Sequence, residues 1–291
     1  MVRTALAFVL ATGCGRIGFT DRAGGDAAIQ PDAPPACTTF GAWSASTVLT
    51  ALSSPQDDWG GQITPDGLAL YFDSKRSGQN EPYVARRPDR SSAFGAPVAE
   101  SELDGGSFTG NQSPTDDELE IYFDSSRTGS ECLFFATRAN VADPWGTPQS
   151  LFCSVGGAYV TPDGLNLYYN SILDVAQEGA IFVAARANRS VAFTPGAAVT
   201  GLGTTAMSGY PALSIDQDTI YFESETGTGG DLELWQATRG APDETFGTAV
   251  RVPGIATGME DVSITADGLE LYYATPSPNA DLQVSTRTCL D

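Results

Sequence analysis

Apolar and polar positions alternate along this chain in a pattern that returns five times. Aligned on a tyrosine, the copies read Leu68-Ala69-Leu70-Tyr71-Phe72, Leu119-Glu120-Ile121-Tyr122-Phe123, Leu165-Asn166-Leu167-Tyr168-Tyr169, Thr219-Ile220-Tyr221-Phe222 and Leu269-Glu270-Leu271-Tyr272-Tyr273. The tyrosines stand 51, 46, 53 and 51 residues apart. Each is preceded at five residues by an aspartate, and Asp66-Gly67, Asp163-Gly164 and Asp267-Gly268 carry the dipeptide that tolerates the positive φ of a tight hairpin. An inner strand is therefore expected to turn there into the Tyr-bearing strand. A third strand follows a polar loop, as in Pro82 to Arg86, Leu133 to Arg138, Ile181 to Arg186, Leu232 to Arg239 and Leu282 to Arg287. A fourth is expected to open at Phe94, Trp145, Phe193 and Phe246. Four short antiparallel strands per unit, at a period of roughly 40 to 50 residues, predict an all-β fold: a single five-bladed β-propeller.

The fifth copy has no fourth strand of its own, because the chain stops four residues after Arg287. A matching piece, Phe40-Gly41-Ala42-Trp43 followed by Thr47 to Leu52, lies at the other end. The N-terminal strand is thus expected to close the last blade, leaving no open sheet edge. In that alignment Cys289 faces Cys37 across the closure, and Cys132 falls opposite Cys153 in one hairpin. Of the three pairings four cysteines allow, only this one follows from the repeats; buried free thiols are the alternative.

The first residues point to export. Arg3 precedes the apolar run Ala5 to Ala11, and Ala11-Thr12-Gly13-Cys14 reads as a bacterial lipobox with Ala11 in place of the usual leucine. An ordinary signal peptide or a misplaced start is the alternative. The expected organisation is a signal peptide and lipidation site over 1–14, a Gly-, Ala-, Asp- and Pro-rich tether over 15–36, and the propeller over 37–291. Such a chain would be exported and lipid-anchored in the bacterial envelope, in the periplasm or at the outer membrane. Its only membrane contact would be the lipid.

Charge removes further options. With 36 acidic and 15 basic side chains the net charge is −21, which repels nucleic acid and anionic membrane surfaces. The absence of histidine removes His-based triads, ordinary zinc sites and His acid–base chemistry. No Gly-x-Ser-x-Gly elbow or phosphate-binding Walker loop occurs. Carboxylate chemistry remains open.

The motifs Thr64-Pro65-Asp66-Gly67, Thr161-Pro162-Asp163-Gly164 and Trp145-Gly146-Thr147-Pro148 resemble those of the TolB-like branch of WD40-like β-propellers, over roughly residues 38 to 290. The resemblance implies the propeller fold and a bacterial lipoprotein setting. It extends to TolB itself only in the repeats, with five blades here instead of six. Some five-bladed propellers are glycoside hydrolases that place acids at the starts of inner strands around the axis. Candidates at that face are Asp58 and Trp59, Asn111, Tyr159, Tyr210, and Glu260 with Asp261. Aromatic and carboxylate groups together could stack on a sugar, or bind calcium through oxygen; a solvated acidic rim is the plainer alternative. No cofactor is called for, calcium being the one cation such ligands would suit.

The expected function is a non-catalytic, monomeric binding or scaffolding module that engages an envelope protein or glycan through one face of the ring. The rival is a carbohydrate-active enzyme using Asp58, Glu260 or Asp261, which requires two acids roughly 5 to 10 Å apart across a cleft. Strand-end arginines Arg86, Arg138, Arg186, Arg239 and Arg287 recur once per blade and are expected to be structural. The blades differ most at 100–112, 171–179 and 204–210.

Overall fold

The computed structural model describes residues 37–106, 108–171, 180–203, 208–225, 232–276 and 278–291. The signal-like segment with Cys14, the tether, and most of the variable stretches 171–179 and 204–210 lie outside them.

All regular structure among the described residues is β, in five four-stranded antiparallel sheets. The N-terminal strand β1 spans Thr47–Val48. Blade 1 comprises β2 (Asp58–Ile63), β3 (Ala69–Ser74), β4 (Glu81–Arg86) and β5 (Val98–Ala99). Blade 2 comprises β6 (Thr109–Pro114), β7 (Glu120–Ser125), β8 (Cys132–Thr137) and β9 (Gln149–Cys153). Blade 3 holds β10 (Val155–Val160), β11 (Asn166–Ser171), β12 (Ile181–Ala185) and β13 (Ala197–Ala198). Blade 4 holds β14 (Ser208–Leu213), β15 (Thr219–Glu225), β16 (Leu232–Thr238) and β17 (Val250–Arg251). Blade 5 joins β18 (Glu260–Ile264), β19 (Glu270–Ala274) and β20 (Leu282–Thr286) to β1, with Thr47 opposite Val284.

Both expected disulfides are present, Cys37 to Cys289 and Cys132 to Cys153. The first spans 252 residues, a loop for which chain-entropy arguments give about 5 kcal/mol of stabilisation. The aromatic residues expected to open the fourth strands precede them by about a turn. Phe94, Trp145, Phe193 and Phe246 are buried in the seams between blades.

The second strands explain the core. β3 and β7 are buried at every position, because each blade is covered on both faces by its neighbours. Their sequences accordingly read as near-continuous apolar runs instead of alternating ones. Tyr71, Tyr122 and Tyr272 are among the largest fully buried side chains.

Each hairpin from first to second strand is fixed by one device. Thr64 Oγ1 donates to Asp66 Oδ1 at 2.7 Å and accepts from Ala69 N at 2.9 Å, while Leu68 N donates to Asp66. Thr115, Thr161, Ser214 and Thr265 repeat it with Asp117, Asp163, Asp216 and Asp267. The next residue has positive φ in all five: Gly67, Glu118, Gly164, Gln217 and Gly268.

The arginines lock these turns to the outer strand. Arg138, Arg186, Arg239 and Arg287 donate Nε to a turn carbonyl and stack on Trp145, Phe193, Phe246 and Phe40. In blade 1 the position belongs to Arg87, not to Arg86 as the repeat alignment suggests. Arg87 Nε donates to Gly67 O at 2.6 Å and the guanidinium covers Phe94. Arg86 points elsewhere and pairs with Glu118. Two consecutive arginines made the one-residue shift invisible in sequence.

Candidate functional site

Every inner strand carries a bulge at the same place, between Trp59 and Gln62, Gly110 and Ser113, Gly156 and Tyr159, Gly209 and Ala212, and Glu260 and Ser263. The residue inside each bulge has positive φ: Gly60 at 68°, Asn111 at 54°, Gly157 at 63°, Tyr210 at 49° and Asp261 at 59°. Three of these are side-chain-bearing residues other than glycine, held in a conformation that costs on the order of 1 kcal/mol or more. Bulges of this kind re-aim side chains. Here they line one mouth of the ring axis.

A second ring of groups holds the bulges. The residue two past the tyrosine of each second strand is Asp73, Asp124, Asn170, Glu223 or Ala274. Asp73 accepts from Asn111 N at 3.2 Å and Gln112 Nε2 at 2.5 Å. Asp124 accepts from Gly157 N at 2.7 Å and Asn111 Nδ2 at 2.7 Å. Glu223 accepts from Asp261 N. The carboxylate of one blade thus caps the bulge of the next. At the closure, where Ala274 has no carboxyl, Asp261 itself accepts from Gly60 N at 3.0 Å.

Among the described residues no cation pairs with this ring. Burial pushes the carboxyls of Asp73, Asp124 and Glu223 well above the usual range, and neighbouring carboxylates add to it. Asp261 is raised to about 7, by desolvation first and by Glu260 second, against the opposing Gly60 hydrogen bond. Burial and mutual repulsion thus make ionisation of these acids less favourable than in water. Gln112 Oε1, Asp124 Oδ1 and Asn170 Oδ1 are buried with no hydrogen-bond partner among the described residues. The cavity at the mouth measures about 20 Å³, enough for about one water. Its oxygen donors, from Asp261, Asn111 and Gln112, would equally suit one hard cation.

The candidate residues separate in space. Asn111, Tyr210 and Asp261 come together at this mouth, with Tyr210 37% exposed. Tyr159 lies deeper, buried, its hydroxyl donating to Leu213 O at 3.1 Å, and lines the opposite opening beside Pro65, Pro162 and Ile215. Asp58 is fully buried away from the axis, paired with Arg76 at 2.9 Å and accepting from Ser54 N. Trp59 is covered by Lys75 at 4.4 Å. Glu260 is half-buried beside the mouth, its carboxyl raised by burial and by Asp57. Sequence reasoning missed Asp73, Asp124 and Glu223. The available signal was a polar residue directly after the aromatic pair of the second strand, as in Phe72-Asp73 and Phe123-Asp124.

No family model and no curated protein matches the chain. Solved structures do. TolB from Acinetobacter baumannii superposes with a TM-score of 0.52 at 16% identity over 82% of this chain. The match spans 56% of that TolB chain, little more than half its length. A GH43_1 enzyme from Xanthomonas citri gives 0.60 at 14% identity, covering 84% of this chain and 91% of the other. The catalytic domain of the Coprinopsis cinerea GH62 α-L-arabinofuranosidase gives 0.59 at 10% identity, covering 86% and 98%. Likeness at these identities speaks for the fold alone, a β-propeller, which here has five four-stranded blades.

Proposed function

We propose that this propeller is an exported, non-catalytic binding module that receives a protein partner at the polar mouth of its axis. One observation carries the reading. The acids nearest the axis are engaged in capping backbone N–H groups of the next blade, around an opening of about 20 Å³. Small-molecule sites run to roughly 300 to 1,000 Å³, and a glycosidase needs two free carboxyls flanking a sugar. The mouth instead offers hydrogen-bond acceptors on a chain of net charge −21. Its complement is a basic, donor-rich segment of a partner, with the Tyr210 ring as an anchor.

Two disulfides suit an oxidising compartment. Lipidation at Cys14, with 15–36 as tether, belongs to the same reading. The competing reading is a carbohydrate-active enzyme of the kind that the GH43 and GH62 neighbours represent. A photo-crosslinking residue at Tyr210, compared with one at Val98 on the outer edge of blade 1, separates the two. Cross-linking in the envelope to a defined basic protein from Tyr210 alone, with no hydrolysis of aryl arabinofuranosides, is expected. Hydrolysis abolished by Asp261→Asn, or equal cross-linking from both positions, overturns the proposal.

A further inference from the structure

The seams between blades are assembled from equivalent positions. Opposite the tyrosine of each second strand stands one third-strand residue: Val84, Phe135, Val183, Gln236 or Val284. The seam between blades 2 and 3 and the seam between blades 5 and 1 match closely in their other groups. In the first, Arg186 and Arg189 pair with Glu120, and Phe193 meets Tyr122 edge-on at 5.6 Å. In the second, Arg87 and Arg90 pair with Glu270, and Phe94 meets Tyr272 edge-on at 6.4 Å.

The difference is Phe135 against Val284. The Phe135 ring stacks on Tyr122 at 6.0 Å and 20° between planes. Where Val284 stands, the corresponding face of Tyr272 borders a cleft of about 390 Å³, walled by Leu49, Phe94, Tyr272 and Val284. The seam between blades 3 and 4, with Val183 at the same position, has a cleft of about 170 Å³ against Tyr168. Open volume accompanies valine in these two seams, whereas Val84 and Tyr71, in the seam between blades 1 and 2, are buried together with Leu103 and Trp145.

We infer that the cleft between blades 5 and 1 is a binding site for a small aromatic molecule, whose ring takes on Tyr272 the place that Phe135 takes on Tyr122. Its volume falls in the range of small-molecule sites, roughly 300 to 1,000 Å³, and Tyr272 and Phe94 already provide a face and an edge for an added ring. Thr50, Ser91 and Thr286 make the lip polar, which suits a hydroxyl substituent. Arg87 and Arg90 are already paired with Glu270 and Asp267, so a carboxylate on the ligand has no vacant cation to meet. This site is separate from the axial mouth and does not depend on the function proposed there.

Titration calorimetry of the full oxidised chain with p-cresol tests the inference, with N-acetylphenylalaninamide as a second arm. Wild type should bind one p-cresol. Val284→Phe should weaken that binding at least tenfold and raise the Tm, because its own ring fills the cleft. Phe135→Val should open the sister seam and bring the stoichiometry to two, a readout independent of whether the first variant folds. No p-cresol binding to wild type, or undiminished binding to Val284→Phe, overturns the inference. Binding of the phenylalanine amide without p-cresol binding also overturns it and assigns the cleft to a polypeptide side chain.

Discussion

The two ends of the inner strands are both repeated five times, but by different means. At the hairpin end the repetition is chemical: a Thr or Ser hydroxyl, an aspartate and an arginine recur in nearly every blade and make the same hydrogen bonds. At the axial end the repetition is conformational. Gly60, Asn111, Gly157, Tyr210 and Asp261 share a positive φ and little else. Scaffold positions keep their residues because one local hydrogen-bond pattern needs them, whereas at the mouth a fixed backbone presents different side chains. Difference of that sort is what a recognition surface requires.

The comparison breaks most severely at Gly110. A Cβ there would sit 2.1 Å from Asp73 Oδ2, while at the equivalent Gly209 the nearest atom is 3.5 Å away. Gly110→Ala should displace the carboxylate and cost about 4 kcal/mol. Gly209→Ala should cost about 1 kcal/mol or less, and chemical denaturation distinguishes them. At the hairpin end, Arg186→Ala removes the 2.6 Å partner of the largely buried Glu120 and leaves Arg189 as its cation; about 2 kcal/mol is expected by the same measurement. Arg239→Ala, where Asn166 takes the place of that glutamate, should cost less.

A further effect sharpens the contrast through pH. Asp261 has a folded-state value of about 7 against 3.8 unfolded. Between those values the folded chain retains a proton that the unfolded chain has lost. Stability therefore falls as pH rises from about 4 to about 7 and levels off above it. Asp261→Asn should remove about one proton from that slope. An unchanged Tm-against-pH curve would show that Asp261 is ionised throughout.

Fold legibility in this sequence follows from the same division. The Asp-Gly turns, the Leu-x-Leu-Tyr strands and the cysteine register could be read because their residues recur. Blade closure by Thr47–Val48 followed from the missing fourth strand. The axial ring was only partly visible. Asn111, Tyr210 and Asp261 stand out by falling at strand entry, yet Asp58 occupies a similar place in sequence and turns away to Arg76. The capping acids were hidden because each acts on the next blade, some 33 to 39 residues away, a relation that inspection of a single repeat does not contain.

The Cys37–Cys289 bond has a mechanical consequence. β1 is two residues long, and a strand so short would peel from β20 under tension one hydrogen bond at a time. With the disulfide at its upstream flank, a pull on the chain before residue 37 is shared with a covalent link to the end of blade 5 and does not fall on that strand alone. Residues 37 to 289 form a closed loop, comparable to a buckled belt, in which reduction is the unlatching step. Force or proteolysis at the N-terminal side leaves the ring shut until that bond is cut.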